Sequence, residues 1–531
     1  MELCDYTAKE LTENLRSRKV SAVEILESAL KRIEQVDGLP GTLDYGDLTE
    51  EDKQKLHAFI TITKERALEQ AQAVDSKIKA GEDPGLLAGV PFSTKDLFCV
   101  EGVRSTAASR ILSNFTAPYT ATPVARMEAQ GAVNIGKVNL DEFAFGASTE
   151  SSAFQPSTRN AWNTDRVPGG SSGGSAVSVS SGEVALSIGT DTAGSIRLPA
   201  AFCGTVGMKP TYGRVSRYGL IAFASSLDCP GPFARTVTDA AMMLQVIAGA
   251  DKRDSTAVTI PVPDYLEKLE AGVKGMRIGL SPDYLRITFP DPDTGEYVER
   301  DIPDDIKAPV LKAAKLLKEM GAEIIEDVPM VNTRYAIPAY FVYSRVEAAS
   351  NLHRFDGVKY GYRSPGDLGE MGQLYRKSRG EGFGHQVQLR ILMGMYVSAA
   401  QYSEQYYQRA LKVRTMIRRD FEEAFDKTGK YRVDALLTPS TPMTAFPMEA
   451  MFGDSIMMQY ADQLTVPANH AGVPGLSVPG GFSEDGMPVG VQFLGPDFSE
   501  DVLLRMGRAY EIATADDAWR SKKPAIIENL G

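Results

Sequence analysis

The sequence has little of what usually marks redox, metal or membrane chemistry. Four cysteines occur in 531 residues, Cys4, Cys99, Cys203 and Cys229, with no CxxC pair and no metal-like spacing to histidine. This argues against a disulfide framework or a zinc cluster and predicts scattered reduced thiols in a cytoplasmic protein. Histidine is just as scarce: His57, His353, His385 and His470 all lie far in sequence from any serine-rich motif. No apolar run is long enough to cross a bilayer. One uncharged candidate, 167–182, is mostly glycine and serine. The first residues, MELCDYTAKELTENLRSRK, lack the apolar centre of a signal peptide. Positive charge is also in deficit, 57 Lys and Arg against 69 Asp and Glu, a net −12. A chain that grips nucleic acid directly would more often carry a basic face. The phosphate-loop pattern GxxxxGK[ST] is missing, so ATP chemistry is expected elsewhere.

What is present reads as a large α/β enzyme. Ser21 and Glu24 form a capping-box pattern before Ile25, Leu26, Ala29, Leu30, Ile33 and Val36, and Gly38 supplies the stop. A second helix ends at Gly81, and LAGVPFSTKD then reads as a strand reaching a buried position. From about 86 to 260, short apolar strands alternate with turns and helical segments, the pattern of an α/β core. MRIGLS and VDALLTPSTP read as strands, and GLSVPGGFSEDGMPVGVQFLG as a hairpin about Asp485-Gly486. The stretch 39–55 is a polar, turn-rich surface insertion, and 288–305, acidic and proline-rich, is an insertion that reads as a surface loop or hairpin. The expectation is one domain over 1–531, in which 265–430 is a mainly helical insertion contributing to the substrate pocket.

Residues 169–200, GGSSGGSAVSVSSGEVALSIGTDTAGSIRLPA, pose the main question. Glycine and serine at this density usually make a flexible linker. Yet Ala176, Val177 and Val179, then Val184, Leu186 and Ile188, form a strand-like run that a solvated linker has no use for. Glycine and alanine let backbone approach a reacting carbonyl closely. Thr192-Ala193-Gly194-Ser195 would set consecutive N–H donors beside a hydroxyl, as a serine nucleophile needs. The base is either a histidine brought in by the fold or a neutral lysine in an apolar pocket. Lys95, at the end of PFSTKD, fits the second description.

The motifs GGSSGGS and GTDTAGSIRLPAAFCG, with GVPFSTKD upstream, resemble the amidase signature family. Ser171 and Ser195 stand 24 residues apart and Lys95 lies 76 residues before Ser171, as the family pattern requires. The resemblance implies an α/β amidase signature fold, a mixed central β-sheet covered by helices on both faces. It implies that Ser195 is the acyl-enzyme nucleophile, that Ser171, on a cis peptide, relays the proton, and that Lys95 is the base. Oxyanion donors would be the N–H groups of Thr192, Ala193, Gly194 and Ser195. One residue departs from the pattern: the family usually has glycine where this chain has Ala193, which is tolerable at negative φ and strained at positive φ.

Longer stretches, VGMKPTYGRVSRYGLIAFASSLDCPGP, VIAGADKRDST, EAASNLHRFDGVKYGYRS and LTVPANHAGVPGLSVPGG, are similar to the A-subunit family of glutamyl-tRNA(Gln)/aspartyl-tRNA(Asn) amidotransferases. That resemblance implies a glutaminase whose ammonia passes to a partner that amidates Glu-tRNA(Gln), Asp-tRNA(Asn) or both. It implies that Tyr340, Arg390 and Asp462 hold the zwitterionic end of glutamine. It further implies B and C subunits in a heterotrimer, ATP and Mg in the partner, no metal or cofactor in this chain, aminoacyl-tRNA bound mainly by the partner, and a cytoplasmic location. A free-standing small-molecule amidase of the same family stays open as an alternative. So does a non-catalytic scaffold, for which Ala193 is the motive.

Overall fold

The computed structural model describes residues 2–291, 294–366, 369–452, 458 and 460–530. Its strands are short: β1 Phe59–Ile62, β2 Pro91–Lys95, β3 Val133–Val138, β4 Leu186–Asp191, β5 Val206–Lys209, β6 Cys229–Ala234, β7 Arg277–Gly279, β8 Arg286–Pro290, β9 Tyr297–Asp301, β10 Glu323–Ile325, β11 Ala435–Pro439, β12 Gly475–Phe482 and β13 Pro488–Leu494. Eleven form one mixed sheet in the order β1-β3-β2-β4-β6-β5-β12-β13-β11-β7-β10, and β8 pairs with β9 alone. β2 runs parallel to both β3 and β4, while β4 meets β6 antiparallel. The ends of β2 and β4 therefore lie side by side, and these ends carry Lys95 and the approach to Ser195.

Helices cover the sheet on both faces, and the side chains of the strands show it. Along β11, Ala435 and Leu437 pack into one apolar core and Leu436 into another; along β13, Val491 and Phe493 join the first core and Leu494 the second. Alternation with period two sends neighbouring residues to opposite faces. The first core holds the helices Ala8–Arg16, Ala22–Val36, Lys64–Ala80 and Glu500–Ala513. The second holds Ala336–Leu352, His385–Ser398 and Arg409–Phe425.

Local signals act as read. The Ser21 hydroxyl accepts from the Glu24 N–H at 3.2 Å, and the Glu24 carboxylate accepts from the Ser21 N–H at 2.8 Å, closing the capping box. β12 and β13 form the hairpin about Asp485-Gly486, with Gly486 at φ +79°. The run after the glycine-serine motif departs from expectation: Gly173–Ser180 is a helix, not a strand, and strand β4 begins only at Leu186. Alanine, valine and serine side chains are small enough to be buried all round a short helix, so alternation there carried no information about period. The segment 265–430 is also less separate than expected. It is rich in helix, but β7 and β10 within it join the central sheet, and β8–β9 occupies most of 288–305; residues 292 and 293 lie outside the described residues. Among the described residues no helix is long and apolar enough to cross a membrane.

Candidate active site

Lys95 closes β2 and is fully buried. Its Nζ lies 2.8 Å from Ser171 Oγ, 2.7 Å from Ser172 Oγ and 2.9 Å from Thr190 Oγ1. No carboxylate forms an ion pair with it among the described residues; the nearest negative charges, Asp141, Asp228 and Asp191, act only at longer range. Burial therefore dominates and brings the lysine down to about 7. An amine with three hydroxyl neighbours and no counter-ion is well placed to be neutral. It can then accept a proton from one of them.

The glycine-serine loop is shaped by close approach rather than by flexibility. The Gly170–Ser171 peptide is cis. A Cβ on Gly170 would run into the Asp141 carboxylate, and one on Gly174 would come within 2.6 Å of the Asn139 carbonyl oxygen. The Asp141 N–H donates to the Ser171 carbonyl at 3.2 Å, and Thr149 Oγ1 donates to the Gly169 carbonyl at 2.8 Å. The loop is thus sewn to the 139–149 segment.

Beyond β4 the chain turns through Thr192-Ala193-Gly194-Ser195 into the helix Arg197–Cys203. Asp191 holds the turn. Its carboxylate accepts from the Ile196 N–H at 3.2 Å, takes both arms of Arg197 at 3.0 Å, and accepts from Asn469 Nδ2 at 2.8 Å. Burial pushes this carboxyl up, but Arg197 outweighs it and holds Asp191 below the usual range. Arg197 also donates to Gln492 Oε1 at 2.8 Å. On the other side, Thr192 Oγ1 donates to Asp228 Oδ1 at 2.8 Å. Between these anchors the four N–H groups of Thr192 to Ser195 donate to nothing among the described residues. Four consecutive free donors beside a serine 4 % exposed are what a developing oxyanion requires. Ala193 is not among the residues at positive φ, so its methyl brings no backbone strain, and Thr465 Oγ1 donates to its carbonyl at 2.8 Å. No hydrogen bond joins Ser171 Oγ to Ser195 Oγ among the described residues.

The histidines do not compete for the base. His57 Nε2 faces the Asp52 carbonyl, and His470 is enclosed by Tyr343 and the Ala336 carbonyl. His353 and His385 are placed on the exposed side of the helical region.

Tyr340 and Arg390 come from the helices Ala336–Leu352 and His385–Ser398, Asp462 from the turn before the helix Val466–Ala471, and all three are buried. Arg390 sits 5.3 Å over the Phe145 ring, Phe145 meets Phe223 edge-on at 4.4 Å, and Phe223 meets Tyr340 at 6.4 Å. This chain of rings joins the guanidinium to the tyrosine. Asp462 lies against Gly194, where it and Thr465 leave no room for a Cβ. Burial lowers the Arg390 pKa and raises both Tyr340 and, strongly, Asp462; the charges of Arg390 and Asp462 both act on Tyr340. Arg390 is 3 % exposed, forms no ion pair among the described residues, and its Nε has no partner. A buried guanidinium without an acceptor is costly unless a ligand supplies one.

With this geometry in place, the comparisons are decisive. A sequence model of the Amidase family matches residues 42–504. The chain belongs to the amidase signature family. A relative from Carboxydothermus hydrogenoformans, named as the A subunit of glutamyl-tRNA(Gln) amidotransferase, is 47% identical over 523 residues, 98% of this chain and 100% of that one. The crystal structure of a protein of the same name from Thermotoga maritima aligns with TM-score 0.73 at 36% identity, covering 96% of this chain and 95% of that one. The peptide amidase of Stenotrophomonas maltophilia aligns with TM-score 0.76 at 29% identity, covering 98% of each chain.

Ser172, Thr190, Asp191, Arg197, Asp228 and Asp141 were not singled out in the sequence. Only Asp191 left a trace there: an acidic residue just before a turn that opens a helix is a capping pattern.

Proposed function

We propose that the chain is the glutamine-hydrolysing component of a tRNA-dependent amidotransferase. One observation carries the reading: a buried, unanswered Arg390 feels the charge of Asp462, both act on the buried Tyr340, and Asp462 lies against Gly194 in a serine turn with free N–H donors. Glutamine answers all of these groups. Its α-carboxylate takes the Arg390 fork, its α-ammonium meets Asp462, Tyr340 closes the site, and its side-chain amide reaches Ser195.

Neutral Lys95 takes the Ser171 proton as Ser171 Oγ takes the proton of Ser195. Ser195 Oγ attacks the amide carbon, and the oxygen gathers charge against the N–H groups of Thr192, Ala193, Gly194 and Ser195. Substrate binding brings Ser195 within reach of Ser171; such contacts commonly tighten only in the complex. The proton returns through Ser171 to the leaving nitrogen, the C–N bond breaks and ammonia departs. Water, deprotonated by the same relay, attacks the glutamyl ester and releases glutamate and Ser195. The ammonia passes to a partner that binds ATP and Mg and amidates Glu-tRNA(Gln), Asp-tRNA(Asn) or both. The working unit is a cytoplasmic heterotrimer with B and C subunits, in which the partner holds most of the aminoacyl-tRNA. This chain needs no metal or cofactor of its own for the hydrolytic step.

The test is twofold. The purified chain with any co-purifying proteins is assayed for glutamate release from glutamine, and the companions are identified. Glutamine hydrolysis with two further subunits is the expected result. Hydrolysis of uncharged amides with no use of glutamine and no companion would make the chain a free-standing amidase.

A further inference from the structure

Next to Asp141, which backs the Ser171 loop, stands a second carboxyl that the hydrolytic cycle does not use. Glu142 is buried, and no charged group is among the causes that shift its pKa; burial alone drives it up to about 7. Its oxygens are nevertheless fully engaged. The Gly384 N–H donates to Oε1 and Oε2, each at 3.1 Å, and the Ser109 hydroxyl donates to Oε1. The same hydroxyl also lies 3.2 Å from the Gly382 carbonyl. Gly384 is the residue just before the helix His385–Ser398, and a Cβ on it would collide with the Glu142 carboxyl. That helix carries Arg390.

Two adjacent side chains thus reach in two directions. Asp141 fills the space beneath Gly170, while its N–H holds the Ser171 carbonyl; Glu142 grips the first free N–H of the helix that supplies Arg390. Just beyond them the chain puts Phe143 against Phe355 and Phe383, at 5.3 and 5.7 Å, and Phe145 beneath Arg390. The distance from the guanidinium to the serine relay is therefore set by a five-residue segment anchored at both ends.

We propose that Glu142 is a positioning residue that holds the Arg390 helix in register with the Ser171 loop. It rests on the glutaminase reading for its substrate effect, but not for its structural one. Losing the grip frees the start of the helix and moves Arg390 away from the α-carboxylate, while Lys95, Ser171 and Ser195 keep their places. A misplacement of about 1 Å far from the reacting atoms can cost on the order of 100-fold.

The experiment compares Glu142→Ala, Glu142→Asp and Glu142→Gln with the wild-type chain on two substrates, glutamine and butyramide, an uncharged primary amide with no α-carboxylate. Hydrogen exchange is followed at residues 385–390 and at 173–180. In Glu142→Ala the glutamine KM rises about tenfold or more, kcat/KM for butyramide stays within about threefold, and exchange quickens at 385–390 but not at 173–180. The Gln variant, whose carbonyl oxygen still accepts from Gly384, restores glutamine KM to within about threefold. The Asp variant, charged but too short to reach, behaves like Ala; it carries the comparison if Ala does not fold. Equal losses on both substrates, or unchanged exchange at 385–390 in a folded Ala or Asp variant, overturn the proposal. A wild-type chain that ignores glutamine defeats the glutaminase reading, and the exchange result then decides the positioning role alone.

Discussion

Two halves of the site lie side by side and are opposites in their bonding. Around Lys95 a buried amine has three hydroxyl partners, Ser171, Ser172 and Thr190, and the nucleophile turn is tied by Asp191, Arg197 and Asp228. Around Arg390 the charged groups are just as buried, yet among the described residues Arg390 forms no ion pair and the Asp462 carboxylate is met only by a long 3.5 Å contact from Thr465. The scaffold of the first half is finished before substrate arrives, and it holds the free N–H groups of Thr192 to Ser195 in place for a developing oxyanion, which is what preorganised catalysis asks for. The second half is complementary to something outside the chain.

The sharpest way to break this contrast is to remove the nucleophile. Ser195→Ala should lose glutaminase activity by on the order of 10⁴-fold or more and stop reacting with a glutamine-like electrophile, with the fold intact. Ser171→Ala should lose comparably, because members of one relay fail as a unit. Persistent labelling at a different serine would move the finished half elsewhere.

Lys95→Ala should follow closely. In the wild-type chain the sign of the pH effect is set by the depressed lysine. Below about 7 it is protonated and cannot accept from Ser171, so acylation should rise as pH climbs through 7 and level off above it. A single-turnover profile that is flat from pH 6 to 9, with activity kept in the alanine variant, would take the base role from Lys95.

Arg390→Ala tests the open half. Truncating one partner of a desolvated charge pair costs about 2–5 kcal/mol, some 30-fold to several thousand-fold in kcat/KM for glutamine. An uncharged amide should be hydrolysed at nearly the wild-type rate. Equal losses would make Arg390 structural; no loss on either would put the glutamine pocket elsewhere. Glutamine should also raise the melting temperature of the wild-type chain, and not that of the variant.

The smallest effect is expected at Ala193→Gly. With no positive φ to relieve, glycine should change turnover by no more than about fivefold, through backbone freedom near 0.5–1 kcal/mol. A large fall would show that the methyl positions an oxyanion donor.

Much of the finished half was legible in the sequence, because its parts are local and chemically unusual. Lys95 ends an apolar strand and Ser195 follows a run of small residues, while Ser171 was reached only through the resemblance to the amidase signature family. The strand and hairpin about Asp485-Gly486 were legible for a similar reason: their turn residues carry backbone requirements that few others meet. The supports were not legible. Asp141, Asp191 and Asp228 are ordinary aspartates until the fold puts each against a particular N–H, guanidinium or hydroxyl. The helix Gly173–Ser180 was misread because small buried side chains carry no periodic signal. The sharing of one sheet by β7, β10 and β11 depends on pairings between residues far apart in the chain, which no local pattern encodes.

The anchoring of Asp191 and Arg197 has a consequence for how the chain is made. Asn469 and Gln492, which fasten the nucleophile turn, lie more than 270 residues downstream of it. A nascent chain still on the ribosome can have Lys95, Ser171 and Ser195 already outside the exit tunnel and yet lack the far ends of their scaffold. Domains form from the N-terminus as synthesis proceeds; here the near ties of the serine turn, Asp191 to Arg197 and Thr192 to Asp228, can form early, and the far ones wait until the last stretch of the protein emerges. The full set of bonds around the turn therefore exists only once β13, which carries Gln492, has been made.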